Sequence, residues 1–141
     1  MTKSEIYEGG RMCGSVRYEA SGEPLWVLHC HCGICKRHTG AAFATFVSFP
    51  LKNTSWIKGE PSEYQFPDGV QRGFCSECGS TLTFRRGSEL SFSAGSLDHP
   101  EWITPELHIM TEYQLPWIKL NDGLPCHLRF APGYEDRDAG L

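Results

Sequence analysis

The sequence lacks the features that mark a membrane protein or a nucleic-acid-binding protein. No segment approaches the roughly 20 consecutive apolar residues that a membrane-spanning helix needs, and the first eight residues lack the apolar core of a secretion signal. The 13 basic and 17 acidic residues give a formal net charge of −4, and the basic residues form no stripe that would follow phosphates. We therefore expect a cytoplasmic protein with neither a membrane nor a nucleic acid as its partner.

The sequence also has little of the periodicity that predicts long helices. With 15 glycines and 9 prolines in 141 residues, turn signals recur often, and the segments between them are rich in β-branched and aromatic residues. The predicted strands are residues 15–20, 43–49, 70–74, 80–85 and 90–94. We predict one mainly β domain of short antiparallel sheets, with at most short helical turns, one of them at residues 34–38.

Cysteine, in contrast, is abundant, and three of the seven cysteines lie within six residues, at Cys30, Cys32 and Cys35. The odd count and the C-x-C-x-x-C and C-x-x-C spacings favour metal binding over disulfides. A local run that supplies three thiolates to one zinc ion can leave the fourth tetrahedral position to water or substrate. We predict a catalytic type of zinc site at these three residues.

A second metal signal is the C-x-x-C pair of Cys75 and Cys78, which Gly79 follows. Such a tight turn directs two sulfur atoms at one metal ion, and the glycine permits a left-handed backbone after it. Two more ligands must come from elsewhere in the fold. Cys13 is the obvious third, and no fourth is obvious.

Taken together, residues 10–19, 30–37 and 74–80 resemble the glutathione-dependent formaldehyde-activating enzyme family, which is related to the centromere protein V domain. The order and spacing of these three motifs match, and residues 95–98, 105–108, 117 and 122–125 are similar to the family's C-terminal half. The resemblance covers roughly residues 9–130, which we take as the domain. Residues 131–141 then form a C-terminal tail, predicted to be disordered from residue 134.

The resemblance implies a β-rich, tent-like fold with two zinc sites. Cys30, Cys32 and Cys35 would hold the catalytic zinc ion. The family's structural zinc site combines an early C-x-C pair with the later C-x-x-C pair, and the matching residues are Cys13, Cys75 and Cys78. This sequence departs from the pattern at Arg11, because a guanidinium has no free lone pair with which to ligate zinc.

Three hypotheses account for the missing donor. Another side chain can replace it, and the candidates are Cys126, His127 and His108, although a lone cysteine is most often a small buried hydrophobe. Alternatively, water completes three thiolates, or the site is empty and packing replaces the metal.

The implied activity is that of a carbon-sulfur lyase related to S-(hydroxymethyl)glutathione synthase. Glutathione would occupy the open zinc position as a thiolate and attack formaldehyde. The alternative is a non-catalytic, zinc-stabilised binding module related to the centromere protein V domain, in which His29 or a backbone group closes the fourth position. A third possibility is an enzyme acting on another carbonyl or thiol adduct. Lys36, Arg37 and His38 follow the cysteines and either meet the carboxylates of glutathione or lie on the solvated surface, and we favour the latter.

Overall fold

A computed structural model describes residues 6–67 and 69–132, which form ten strands and one short α-helix. The strands are β1 (Ile6–Gly10), β2 (Arg17–Ser21), β3 (Trp26–Cys30), β4 (Ala44–Pro50), β5 (Thr54–Lys58), β6 (Ser62–Gln65), β7 (Gln71–Phe74), β8 (Thr81–Arg86), β9 (Glu89–Ser93) and β10 (Leu107–Ile109). The helix, α1, spans Gly33–Thr39, and single 3₁₀ turns lie at Leu51–Asn53, Ala94–Ser96, Pro100–Trp102 and Thr111–Tyr113. The predicted mainly β fold with short helical turns is confirmed.

The strands form two sheets. One sheet has the order β1-β2-β5, and the other has the order β10-β3-β4-β9-β8-β7-β6. Every pair is antiparallel except β10 with β3, which run parallel. The prediction of antiparallel sheets therefore fails at this edge, because β10 returns to β3 through a long connection that contains β4 to β9. No helix among the described residues is both long and apolar enough to cross a membrane.

The first core lies between the two sheets and is rich in aromatic residues. The rings of Tyr18 on β2 and Phe92 on β9 stack with centroids 3.8 Å apart, and the Tyr18 hydroxyl lies 2.6 Å from Oγ of Ser96. The buried residues of this core are Tyr7, Val16, Tyr18, Ala20, Val27, Val47, Phe49, Leu82, Leu90, Phe92 and Leu97. Burial of these rings joins the sheets into one domain.

The second core lies on the opposite face of the larger sheet. Side chains alternate along a strand, so Val27 of β3 packs in the first core whereas Leu28 and Cys30 pack in the second. The other buried members are Cys35, Ala44, Phe46, Ile109 and Ala131. Ala131 lies just beyond the domain boundary we predicted, and that boundary stays a prediction. The predicted disordered segment 134–141 lies outside the described residues.

Candidate metal centre

The first cysteine cluster (Cys30, Cys32 and Cys35) forms where β3 ends and α1 begins. Cys32 is the N-cap of α1, and its Sγ accepts the backbone N–H of Cys35 at 3.2 Å. The helix ends after about two turns, at Gly40, whose φ of 74° suits glycine. The three sulfur atoms all lie within 4.8 Å of one another. A strand end and a helix start thus bring together the three residues that the motif singled out.

Charge within the first cysteine cluster is concentrated on Cys32. Hydrogen bonds from Cys30 and Cys35 lower the pKa of the Cys32 thiol. Hydrogen bonds with Cys32 and Cys35, together with burial, raise the pKa of Cys30. At Cys35 the hydrogen bond with Cys30 lowers the pKa, but the bond with Cys32 and burial outweigh it and raise the pKa to about 11. One sulfur therefore carries the first negative charge, and further deprotonation needs a cation.

Arg72 supplies one such cation, and no motif in the sequence had pointed to it. Its side chain is buried, and its Nη1 and Nη2 atoms lie 3.7 and 3.8 Å from Sγ of Cys35. The guanidinium also packs 4.5 Å from the ring centroid of Phe84. Arg72 lies on β7, a strand distant in sequence from the cysteines, so only the sheet order brings it to the cluster. It offsets the charge of the thiolates and holds Cys35 in place.

The donor set of the first cysteine cluster fits zinc. Three soft sulfur ligands within reach of one ion, with a cation behind them, are the chemistry that zinc prefers. Among the described residues, no further cysteine, histidine or carboxylate joins this cluster. His29, which we considered as a capping group, instead directs Nδ1 at Oγ1 of Thr45, 2.8 Å away. The fourth position of a tetrahedral ion would therefore be open.

A cavity of about 450 Å³ opens beside these sulfur atoms. Its walls include all three cysteines, the buried side chains of Leu28 and Phe46, and Arg37 at the exposed side. We call this space the cluster cavity. It gives a small molecule direct access to the open side of the first cysteine cluster.

The second cysteine cluster (Cys13, Cys75 and Cys78) also forms as the spacing predicts. Sγ of Cys75 accepts the backbone N–H groups of Glu77 at 3.0 Å and Cys78 at 3.1 Å. Gly79 follows with a φ of 77°, which a side chain would strain. Sγ of Cys13 lies 3.8 Å from Sγ of Cys75. The three sulfur atoms are within 4.8 Å of one another.

A guanidinium lies where this second cluster lacks a donor. Arg11 is only 5% exposed, and its Nη2 atom lies 3.6 Å from Sγ of Cys78 and 3.9 Å from Sγ of Cys13. Because this group has no lone pair to offer, the four side chains do not fit a complete zinc site.

The candidate fourth donors all lie elsewhere. His108 is on β10, where its backbone carbonyl accepts the N–H of His127 and its own N–H donates to the carbonyl of Pro125. Cys126 is the isolated bridge partner of His108. Sγ of Cys126 donates towards the carbonyl of Leu124, at 3.6 Å. The structure brings none of these side chains into the second cysteine cluster.

His108 instead belongs to a series of three hydrogen-bonded polar side chains, buried at His31 and His108 and exposed at Asp122, that sequence reasoning did not find. Its Nδ1 lies 2.9 Å from Nε2 of His31, and its Nε2 lies 2.7 Å from Oδ2 of Asp122. Burial lowers the pKa of His31 to about 4, and the hydrogen bond from His108 lowers the pKa of Asp122. His29, His108 and Asp122 also bring three ligand atoms within 4.8 Å. Both ring nitrogens of His108 therefore have hydrogen-bond partners. These bonds connect His31, just after β3, through β10 to Asp122, which follows β10 in the chain.

The three basic residues that follow the first cysteine cluster have separate surroundings. Nζ of Lys36 donates to the carbonyl of Tyr113 at 2.6 Å. His38 is half-buried, and burial lowers its pKa. Arg37 is exposed, and its guanidinium has no hydrogen-bond or ion-pair partner among the described residues. Of these three side chains, Arg37 is therefore the best placed to meet a ligand, because it lines the cluster cavity.

The two sheets, the short helix and the cysteine clusters define a small β-rich domain whose cysteines could hold metal. The sequence model of the family described as glutathione-dependent formaldehyde-activating enzyme matches residues 6–113, so the chain belongs to that family. A solved protein from Rhodobacter sphaeroides is 20% identical and superposes with a TM-score of 0.53, covering 85% of this chain and 98% of its own. This likeness shows the shared fold. No curated protein matches the chain.

Proposed function

We propose that the chain is a zinc-dependent carbon-sulfur lyase that handles adducts of a thiol such as glutathione with an aldehyde such as formaldehyde. Family membership supports this class of activity. The observation that carries the proposal is that the first cysteine cluster offers three donors, no fourth side chain among the described residues, and an adjoining cavity. A structural site would be closed by its own chain, whereas a working site keeps one position for a ligand.

Each residue of the site has a definite task in this proposal. Cys30, Cys32 and Cys35 hold the metal, which when bound supplies charge that keeps an incoming thiol in its thiolate form. Arg72 offsets the negative charge of the cysteines through Cys35. The walls of the cluster cavity hold the thiol and the aldehyde together and limit the access of water. In the forward direction a carbon-sulfur bond forms, and the proton of the thiol ends on the former carbonyl oxygen.

One observation favours the alternative, a zinc-stabilised module that binds a thiol compound without turnover. No carboxylate and no imidazole lines the cluster cavity among the described residues. A proton must then pass through water or through a hydroxyl such as that of Tyr113, which limits general acid-base catalysis. In both functions the partner is a small molecule, and we place both in the cytoplasm because all seven cysteines have free thiols.

The test measures formation of S-(hydroxymethyl)glutathione by exchange NMR with zinc-loaded protein, against the spontaneous rate of thiol with formaldehyde. We expect a clear acceleration by the protein and none by Cys32→Ser. Cys126→Ser is the matched control, because Cys126 is exposed and outside both clusters, and it should keep the full rate. Equal rates with and without the wild-type protein, while the thiol still binds, would favour the binding module.

A further inference from the structure

We propose that the thiol held at the first cysteine cluster has an apolar body, such as an aryl group, and one carboxylate. This inference rests on the proposed function, since it specifies the substrate class of that same site. It departs from glutathione, which carries two carboxylates, an ammonium group and two peptide bonds.

The walls of the cluster cavity are mainly apolar. Leu28, Phe46 and Ile109 close its inner side and are buried, whereas Ile34 and Phe130 border the mouth and are 44% and 40% exposed. A space of about 450 Å³ is much larger than formaldehyde needs and falls in the range of pockets for whole small molecules. Burying an apolar group of matching size against these side chains removes apolar surface from water, which favours binding.

Glutathione matches this lining poorly. No aspartate or glutamate lines the cavity among the described residues, so its ammonium group would find no carboxylate there. Most side chains around its peptide groups would be aliphatic or aromatic, although Ser48 and Ser91 also line the cavity. Polar groups that lose water without gaining a hydrogen bond cost binding free energy.

Three guanidinium groups line the cavity, those of Arg37, Arg72 and Arg86, and that of Arg86 packs 5.4 Å from the ring centroid of Phe84 and is engaged in a further interaction. Both terminal nitrogens of Arg72 are directed at Cys35, whereas Arg37 lines the cavity with no partner among the described residues. A guanidinium at the rim can bind one carboxylate through two parallel hydrogen bonds. The lining therefore selects an apolar thiol that carries one such group.

Calorimetry on the zinc-loaded protein tests this selection with four compounds. They are glutathione, 3-phenyl-2-sulfanylpropanoate, its S-methyl thioether, and the uncharged 2-phenylethanethiol. We expect the phenyl carboxylate thiol to bind at least tenfold more tightly than glutathione. Arg37→Gln should weaken that compound three- to tenfold and leave 2-phenylethanethiol unchanged, whereas Lys58→Gln, which removes an exposed charge outside the cavity, should change neither.

A second pair of variants tests the apolar wall. Ile34→Ser should weaken both phenyl thiols, and its matched control is Ile57→Ser, because Ile57 is 59% exposed on β5 and does not line the cavity. Glutathione binding as tightly as the phenyl carboxylate thiol would overturn the substrate class. If the thioether binds as tightly as its thiol, the proposed binding of a thiol sulfur at the first cysteine cluster is contradicted. The proposal that the cavity binds an apolar anion would then still stand.

The second cysteine cluster carries an independent proposal. We infer that the guanidinium of Arg11 replaces the fourth donor and that Cys13, Cys75 and Cys78 assemble without a zinc ion. With zinc-sulfur bonds of about 2.3 Å, neighbouring donors of a tetrahedral site lie about 3.8 Å apart. The sulfur atoms of Cys13 and Cys75 show this spacing at 3.8 Å.

The Nη2 atom of Arg11 lies 3.6 and 3.9 Å from two of the sulfurs, which are distances expected of a fourth donor. It stays protonated and cannot ligate. The sulfurs have other partners that hold the cluster, since Cys13 lies 3.0 Å from Oγ of Ser15 and Cys78 lies 3.0 Å from Oγ of Ser80. The buried cation supplies the positive charge that a metal would supply.

Metal content per chain decides this second proposal. Wild-type protein grown with zinc should contain one zinc ion, and Arg11→Cys should contain two, since it completes a four-cysteine set. Arg129→Cys, which adds a cysteine at an exposed position outside the clusters, should keep one. Cadmium NMR of Arg11→Cys should add one resonance typical of four sulfur ligands.

Two zinc ions in the wild type, falling to one in Cys13→Ser, would overturn the replacement by Arg11. One zinc ion in a folded Arg11→Cys protein would also overturn it, because the geometry would then not be that of a metal site. If Arg11→Cys does not fold, the zinc content of the wild type and of Cys13→Ser still shows whether the second cysteine cluster binds zinc.

Discussion

Two arginines distant from each other in sequence each direct a guanidinium at one of the cysteine clusters. Arg72 contacts Cys35 alone among the sulfurs of the first cysteine cluster, and it lines the cluster cavity together with the three cysteines. Arg11 contacts Cys13 and Cys78 from the side where a fourth donor belongs. The two guanidinium groups thus distinguish the clusters. Arg72 leaves the fourth position of the first cysteine cluster to a ligand, whereas Arg11 occupies that position in the second.

Replacement of Arg72 by methionine tests its support of the first cysteine cluster. We expect zinc affinity to fall about tenfold, as is typical when a group that holds a metal ligand is lost, and the measurement is competition with a chelator. Arg85→Met is the control, since Arg85 lies on the neighbouring strand and pairs with Glu63 at 3.1 Å. An unchanged zinc affinity in Arg72→Met would show that the contact with Cys35 has no influence on the metal.

At the scale of elements, the sequence predicted those helices and strands that depend on their own residues and on the turns beside them. The helix after Cys32 and strands β2, β4, β7, β8 and β9 follow from turn residues and from runs of β-branched and aromatic residues. The parallel strand β10 was missed because three residues carry almost no periodic signal. Its pairing depends on tertiary contacts, among them the chain from His31 through His108 to Asp122. The sequence places His31 between Cys30 and Cys32, but it does not reveal that His31 pairs with His108.

The variant His108→Leu tests the role of that polar chain. His108 is fully buried with partners on both nitrogens, so its loss leaves His31 buried without its hydrogen bond. We expect the free energy of unfolding to fall by about 2–3 kcal/mol. Denaturant unfolding measures it, and Asp122→Asn, at the exposed end of the chain, should cost about 1 kcal/mol. A loss below about 0.5 kcal/mol in His108→Leu would mean that packing alone holds β10.

A bidentate ion pair joins β2 to the turn before Pro100, and its contribution depends on pH. Both terminal nitrogens of Arg17 contact the carboxylate of Asp98, and this hydrogen bonding lowers the pKa of Asp98 below its ordinary 3.8. A carboxylate whose pKa is lower in the folded state stabilises the fold when the pH is above the ordinary pKa. This stabilisation is lost as the pH falls through the folded-state pKa.

We expect Asp98→Asn to lower the free energy of unfolding at pH 7 by only about 0.5 kcal/mol, since the pair is partly solvated. The difference from wild type should shrink as the pH falls below 4, which urea unfolding at a series of pH values measures. A difference that stays constant down to pH 2 would assign the effect to the backbone instead of the charge.

At the scale of the whole molecule, the larger sheet separates two environments. One face packs against the smaller sheet in an aromatic core, and the other carries α1, the first cysteine cluster and the cluster cavity. The motif spacing and the resemblance predicted the fold class and the two sets of three cysteines. They could not predict Arg72, the apolar cavity lining or the location of Arg11, because these depend on how distant strands meet.

Removal of zinc tests how far the metal supports this arrangement. A strong chelator should lower the midpoint of thermal unfolding by several degrees, because a ligand that binds only the folded state stabilises it. Cys75→Ser should respond to the chelator as the wild type does, whereas Cys32→Ser should not respond. A chelator response lost in Cys75→Ser would place a bound metal at the second cysteine cluster.

The central claim is that the first cysteine cluster holds a metal ion with one position free for a thiol. X-ray absorption at the zinc edge, before and after saturation with 3-phenyl-2-sulfanylpropanoate, measures this directly. The account predicts three sulfur neighbours and one oxygen neighbour in the free protein, and four sulfur neighbours with the thiol bound. Four donors from the protein that do not change when the thiol is added would contradict it.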